Sequence, residues 1–219
     1  MLRAAVFDLD HTLFDPHTLP RAMFAGLEAR IRAAAADLMS VAVLDAALAD
    51  AWRLPFDRVV AQYHLPEAVR TAWEEGACAL QVTQPLSPYA DVVAALERVA
   101  LRRFLLTSGF RQLQEDKIRQ LGFASLFTAV YIDALDPPGP VGKRVLLQRL
   151  LTEHSLRPRE VIVLGDRADD ELAAARSLGM EAIQVVRPGV VPSPDVSLRI
   201  AGLEALPDLL TRLSGTGAA

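Results

Sequence analysis

The stretch that most constrains this chain is Ala4-Ala5-Val6-Phe7 and the Asp8-Leu9-Asp10-His11-Thr12 directly after it. The first four residues are apolar and uncharged, without polar alternation, which predicts a strand buried on both faces, as in a parallel sheet. The strand stops on two carboxylates, at i and i+2. At the carboxyl rim of an open α/β sheet, where ligands bind, two neighbouring acids repel unless something neutralises one of them. A divalent cation can hold one ionised while the other keeps its proton. The same residue types also suit an ordinary turn or N-cap, so this stretch alone leaves both readings open.

The chain changes character at Asp15-Pro16. Residues 15–20 are turn-rich and read as a linker. From Arg21 to Thr83 the pattern is helical, dense in Ala, Leu and Arg and free of β-branched runs. Pro55 and Pro66 punctuate it, each placed to end one helix or begin the next, which predicts three or four helices and no strand. A helical block of about 65 residues is too long for an ordinary crossover, so it reads as an inserted helical subdomain. Gln84–Pro88 is the second linker. The division is an α/β core of residues 1–14 and 86–219, with a helical cap and its linkers at 15–85.

Beyond the second linker, strands are predicted at 103–106, 129–132, 161–164, 182–186 and 198–200. Helices are predicted at 89–100, 113–121, 142–153 and 168–178. This alternation predicts a doubly wound, Rossmann-like parallel sheet with helices on both faces. The tail from Ser214 is expected to fray.

Composition narrows the function classes. Apolar residues make up 52% of the chain, ample for a packed core. Net charge is −4, with acids and bases interspersed and no basic stripe, so nucleic acid is not an expected partner. Cys78 is the one cysteine, which excludes an internal disulfide framework and a Cys-type zinc site and fits a reducing cytoplasm. No window is long and apolar enough for a membrane span, and the first apolar run is too short for a signal segment.

Several predicted strands end on polar residues. The first ends on Asp8 and Asp10, the second on Thr107-Ser108-Gly109, and a later one on Gly165-Asp166, with Asp169, Asp170 and Glu171 beyond it. Lys143 opens a helix after a Pro/Gly loop. In a doubly wound sheet these converge on one rim and supply what phosphoryl transfer needs: a carboxylate nucleophile, a second carboxyl, hydroxyl and N–H donors, a cation, and acids to hold Mg²⁺.

In these motifs the chain resembles the haloacid dehalogenase-like superfamily, on its phosphatase side. Val6–Leu13 resembles the DxDx[TV] motif, Leu106–Gly109 the strand ending in Thr or Ser, Lys143 the lone lysine at a helix start, and Leu164–Asp170 the GDxxxD motif. The helical insert between the first two motifs is similar to members with a small helical cap after strand one. The resemblance implies that Asp8 is the nucleophile, forming an aspartyl-phosphate. It implies that Asp10 is the general acid and then the base, its backbone carbonyl also binding Mg²⁺. Asp8, Asp166 and Asp170 would supply the carboxylates around the metal. Thr107, Ser108 and Lys143 would hold the phosphoryl oxygens. Beside other acids and turned from the metal, Asp10 is expected to hold a proton near neutral pH.

The second acid of the last motif is a register question between Asp169 and Asp170. The motif's spacing favours Asp170 and leaves Glu171 as a first-turn residue meeting the helix dipole. His11 is expected to orient or contact substrate at most, and His17, His64 and His154 to be surface or packing residues. Phe24, Trp52, Phe56 and Trp73 are expected in the core of the cap. The substrate class is a small soluble phosphomonoester such as a sugar phosphate, a nucleotide or a glycolate-like ester, handled by a monomer or homodimer. The alternatives are a phosphotransferase or phosphomutase, a dehalogenase, which Asp10 disfavours, or a catalytically silent binding protein.

Overall fold

Six strands pair in parallel into one sheet: β1 (Ala4–Phe7), β2 (Arg102–Gly109), β3 (Ala129–Ala134), β4 (Val161–Gly165), β5 (Glu181–Val185) and β6 (Leu198–Ile200). The computed structural model describes residues 1–215. The strand order is β3-β2-β1-β4-β5-β6, so the winding reverses beside β1, with Ala4 aligned to Arg102 of β2 on one side and Val161 of β4 on the other. A crevice opens beyond the carboxyl ends of strands at such a reversal. Here it receives the loops that leave β1 and β4.

All four residues of β1 are fully buried, as an uncharged apolar run on a central strand requires. Side-chain alternation sends them to opposite faces. Ala5 and Phe7 join one core with Val92 and Leu96 of α5 (Val92–Arg98), Ile118 of α6 (Arg111–Gln120) and Leu210 of α9 (Leu206–Gly215). Ala4 and Val6 join a second core with Leu146, Leu147 and Leu150 of α7 (Lys143–Glu153) and Leu172 and Ala175 of α8 (Glu171–Ser177). Phe7 anchors the first of these cores, and its truncation to Ala would cost about 3–5 kcal/mol.

Between β1 and β2 lie α1 (Ala25–Ala35), α2 (Val41–Asp50), α3 (Phe56–Tyr63) and α4 (Glu67–Cys78), with no strand. Pro55 and Pro66 immediately precede α3 and α4, where a missing N–H costs nothing. These helices bury a third cluster that includes Ile31, Leu44, Val59, Val69 and Trp73. No helix among the described residues is long and apolar enough to cross a membrane.

Apart from α9, a helix that was not expected, the departures from expectation fall at element ends, where distant partners decide. β2 continues through Gly109 because Thr107 and Ser108 pair with Ile132 and Asp133 of β3. α6 starts at Arg111, before the predicted Leu113, because Asp136 accepts the Arg111 N–H at 2.7 Å. α8 starts at Glu171, after the predicted Ala168, because the Glu171 carboxylate turns back to accept the Arg167 N–H at 2.8 Å. α9 runs to Gly215, and the rest of the tail expected to fray lies outside the described residues.

Candidate active site

Asp8 is the first residue past β1 and is 5% exposed. Lys143 Nζ donates to its Oδ1 at 2.9 Å. The same ammonium donates to Glu171 Oε2 at 2.8 Å and lies 3.2 Å from Asp170 Oδ2. Lys143 reaches this point because Asp133, beyond the middle of β3, accepts the N–H groups of Val141 and Gly142 at 2.9 and 3.0 Å and so fixes the loop that opens α7. Gly165 closes β4 against the Glu171 carboxylate, and a Cβ there would run into it.

The charges around Lys143 do not balance. Burial pushes the Asp8 carboxyl up; Lys143 pulls it down and Glu171 pushes it further up, leaving it at about 8. Asp166 is raised to about 9 by burial and then by Glu171 and Asp8. Burial disfavours the Lys143 ammonium, but Asp8, Glu171 and Asp170 outweigh that and hold it protonated far above its ordinary range. One ammonium thus faces Asp8, Asp166, Asp170 and Glu171. A surplus of buried carboxylates on hard oxygen donors is the environment that a divalent cation satisfies, so the residues present fit Mg²⁺.

Asp10 has different company. Lys117 Nζ, from α6, donates to both of its oxygens at 3.0 and 2.9 Å, and Gln114 Nε2 adds a third bond at 3.1 Å. Lys117 and Gln114 are 4% and 2% exposed. Burial raises the Asp10 carboxyl, but the Lys117 charge and hydrogen bond, with Gln114, outweigh it and hold the group below the usual carboxylate range. The expectation that Asp10 keeps a proton near neutral pH is therefore corrected. Its hydrogen-bond partners are a lysine and an amide, and they outweigh the acids nearby. Gln114 also donates to the Ser108 carbonyl, and the side-chain amide fills the space that a Cβ at Gly109 (φ +152°) would need.

The other residues chosen from sequence fall into place around this pair. Thr107 is buried at the end of β2 and Ser108 is half-buried beside it, both on the wall of the cavity that holds Asp8 and Asp10. Asp170 faces that cavity, whereas Asp169 is exposed and lies 3.4 Å from Arg167 and 3.6 Å from Arg58 of α3. Glu171 is indeed in the first turn of its helix, but it is 1% exposed and bound to Lys143, a part the spacing did not assign to it.

His11 holds a left-handed backbone (φ 57°) and its Nε2 lies 3.3 Å from the Trp52 carbonyl. With Asp15 and His17 it brings ligand-type atoms within 4.8 Å of one another on the first linker. Phe56 and Trp73 belong to the cap core as expected. Trp52 does not: it is half-buried on the cavity wall, stacked near His17 and carrying the Arg21 guanidinium 3.7 Å from its ring centre. His154 packs on Phe104 and meets the Tyr131 hydroxyl.

The cavity, about 310 Å³, lies between the sheet rim and the helices of residues 25–78. Its floor holds Asp8, Asp10, Thr107, Lys143 and Asp166, and its upper wall is built mainly from aromatic and aliphatic side chains.

A buried aspartate at the end of the central strand, a second two residues on, a lysine from the helix after β3 and acids after β4 define a hydrolase site of one family. Residues 2–179 match the model of the haloacid dehalogenase-like hydrolases, and the chain belongs to that family. It is 32% identical over 126 residues to a phosphoserine phosphatase of Thermus thermophilus, an alignment covering 57% of this chain and 47% of that one. It is 30% identical over 108 residues to a glyceraldehyde 3-phosphate phosphatase of Methanopyrus kandleri, covering 47% and 45%. The aligned part spans about half the length of these relatives. Among solved structures, a 2-haloacid dehalogenase of Pseudomonas syringae pv. Tomato shares the fold, with a TM-score of 0.58 at 22% identity over 97% of this chain and 99% of that one.

Proposed function

We propose that the chain is a Mg²⁺-dependent phosphomonoester hydrolase that works through an aspartyl-phosphate on Asp8. The observation that carries this reading is the pair of acids after β1, each held by its own lysine: Asp8 by Lys143 and Asp10 by Lys117. The phosphatase relatives support the reaction class.

Asp8 attacks phosphorus, and the bond to the leaving oxygen breaks as that oxygen takes a proton from Asp10, which must first draw that proton from solvent because Lys117 holds it as a carboxylate. Water then attacks the phosphoryl group, giving its proton to Asp10, and the bond from phosphorus to Asp8 breaks. Lys143, Thr107, Ser108 and nearby backbone N–H groups would hold the phosphoryl oxygens. Asp8, Asp166, Asp170 and the Asp10 carbonyl would hold Mg²⁺, which when bound supplies positive charge against the phosphoryl oxygens and keeps Asp8 ionised. Because Lys117 favours the Asp10 carboxylate, the base step is the one this environment suits best without further change. Residues 15–85 act as a cap over residues 1–14 and 86–219, excluding water from the floor when they close.

The test is hydrolysis of p-nitrophenyl phosphate with and without Mg²⁺ by wild type and Asp8→Asn. The expected result is metal-dependent turnover that falls by about 10³ or more in the variant, as loss of a covalent nucleophile causes. The apolar wall on its own would also suit a haloacid. Halide release from 2-chloropropionate without turnover of any phosphate ester would replace the proposed reaction.

A further inference from the structure

The upper wall of the cavity says what kind of alcohol the site releases. Its lining beyond the carboxylate floor includes Phe24, Trp52, Leu54, Phe56, Phe110 and Leu113, contributed by the helical insert and by the segment after β2. Phe110 and Phe56 meet across the two at 5.6 Å between ring centres, and Phe24 meets Trp52 at 5.0 Å. These two aromatic pairs line the same cavity as the carboxylates Asp8 and Asp10.

The polar groups beyond the floor are His11, Arg21, Glu28, Arg53 and Arg167; His11 is turned to the Trp52 carbonyl and Arg167 to Asp169. Arg21 is exposed and stacked on Trp52. Arg53 is exposed and paired with Asp50 at 3.0 Å. Glu28 is exposed and paired with Arg32 at 2.8 Å. Arg21 thus lies on one aromatic ring, and Arg53 and Glu28 are each spent on an ion pair of their own. The volume, about 310 Å³, lies at the small end of the ~300–1,000 Å³ usual for ligand sites.

We infer that the substrate is the phosphate ester of a small apolar alcohol, an arylalkyl or short branched alkyl group, and not a sugar phosphate, phosphoserine or nucleotide. This rests on the phosphatase reading above and narrows the wider substrate class that sequence alone allowed. The leaving group must lie between Asp10 and the upper wall, since the phosphoryl group takes the floor. A polyol there would press its hydroxyls against indole, phenyl and isobutyl surfaces. Each buried hydroxyl without a partner lowers affinity by roughly tenfold. An apolar alcohol loses nothing on that surface and gains burial against it. The ribose of a nucleotide would strand its hydroxyls in the same way.

The test compares kcat/KM, with saturating Mg²⁺, for benzyl phosphate, 3-methylbutyl phosphate, glycerol 3-phosphate, glucose 6-phosphate and phosphoserine. All are esters of primary alcohols, so intrinsic leaving ability is broadly matched. p-Nitrophenyl phosphate and methyl phosphate serve as activated and minimal references. The expected result is that benzyl and 3-methylbutyl phosphate exceed the three polar esters by about 100-fold or more, the summed effect of two or more stranded polar groups, hydroxyls in the polyol esters and the ammonium and carboxylate in phosphoserine. In Trp52→Gln the ratio of benzyl to methyl phosphate should fall by about tenfold. A polar ester that equals or exceeds benzyl phosphate overturns the inference while leaving the phosphatase reading intact. So does an unchanged ratio in Trp52→Gln. Inertness toward every ester, p-nitrophenyl phosphate included, overturns both.

Discussion

Arg187 ties the catalytic loop to two distant parts of the chain, and replacing it tests whether that tie supports the fold. Its Nε donates to the Thr12 carbonyl at 3.2 Å, its Nη1 to Asp91 Oδ2 at 3.0 Å, and its guanidinium lies 4.1 Å over the Tyr89 ring. Asp91 also accepts the Leu203 N–H. The two side chains are 7% and 17% exposed. Arg187→Met keeps an apolar stem and removes the charge. Breaking one side of a buried pair costs about 3–5 kcal/mol. Asp91 keeps the Leu203 N–H and some water, and the deleted group takes with it an Nη2 that has no partner among the described residues, which lowers the cost to about 2–3 kcal/mol. At ~2–4 °C per kcal/mol for a chain of this size, the Tm falls by about 4–12 °C. Urea unfolding at neutral pH measures the loss, and a cycle with Asp91→Ala isolates the pair, with the double variant costing at least ~1 kcal/mol less than the sum. The pH dependence has a definite sign. Burial raises the Asp91 carboxyl, but Arg187 and the Leu203 N–H outweigh it, so its folded value lies below the unfolded one. The pair's contribution is complete above about pH 4 and is lost as pH falls through the folded value, so wild type and Arg187→Met should converge in acid. A difference under ~0.5 kcal/mol at neutral pH, or strict additivity in the cycle, would refute the reasoning.

Three further outcomes are expected from the same geometry. Lys117→Met removes the charge that holds Asp10 low, so the acid limb of the kcat/KM profile should move to higher pH; an unmoved limb would separate Asp10 from that limb. Lys143→Met leaves Asp8, Asp170 and Glu171 without their shared cation, so activity should fall by about 10³ and Mg²⁺ should raise the Tm of the variant by more than that of wild type. An equal Mg²⁺ response in differential scanning calorimetry would contradict the charge surplus. Asp133→Ala strands the N–H groups of Val141 and Gly142, so unfolding free energy should drop by about 1–3 kcal/mol and kcat/KM by about tenfold, while rescue by Asp133→Asn would show that acceptance, not charge, matters.

What could be seen in the sequence was what local pattern controls. The β1 run predicted a central buried strand because burial on both faces leaves no polar alternation, and all six strands appear close to where their apolar runs lie. Asp8, Asp10, Thr107, Lys143 and Asp166 were visible because each stands where a strand ends or a helix begins. Lys117, Gln114 and Glu171 were missed because they sit within or beside helices and reach the site through tertiary packing. A signal existed for two of them. Gln114, Lys117, Ile118 and Leu121 recur at i, i+3, i+4 and i+7, the stripe of α6 that faces the core, and all four are buried. Two polar residues on an otherwise apolar stripe ask for a buried partner, and Asp10 is it. Trp52 was placed in the cap core because an aromatic among helix formers usually packs inward, and nothing local to Arg53-Leu54-Pro55 announces a cavity.

The missed residues change the physical account of the two acids. Sequence reasoning asked how neighbouring carboxylates at one rim avoid repelling each other and answered with a metal and a retained proton. To Lys143, already legible in the sequence, the structure adds a second lysine, so that each acid has its own from opposite faces of the sheet: Lys143 from α7, which packs beside Ala4 and Val6, and Lys117 from α6, which packs beside Ala5 and Phe7. What separates the two acids is the rest of their company. Lys143 is shared with Glu171 and Asp170, and Glu171 and Asp10 push Asp8 further up, so Asp8 stays high and calls for more positive charge. Lys117 is given wholly to Asp10 among the described residues, so Asp10 is settled as a carboxylate without help. A site arranged this way separates its roles by allotting cations unequally. In the mechanism proposed above, the acid that would meet a phosphate is the one left short of positive charge, and the acid that would accept a proton from water is the one already paired.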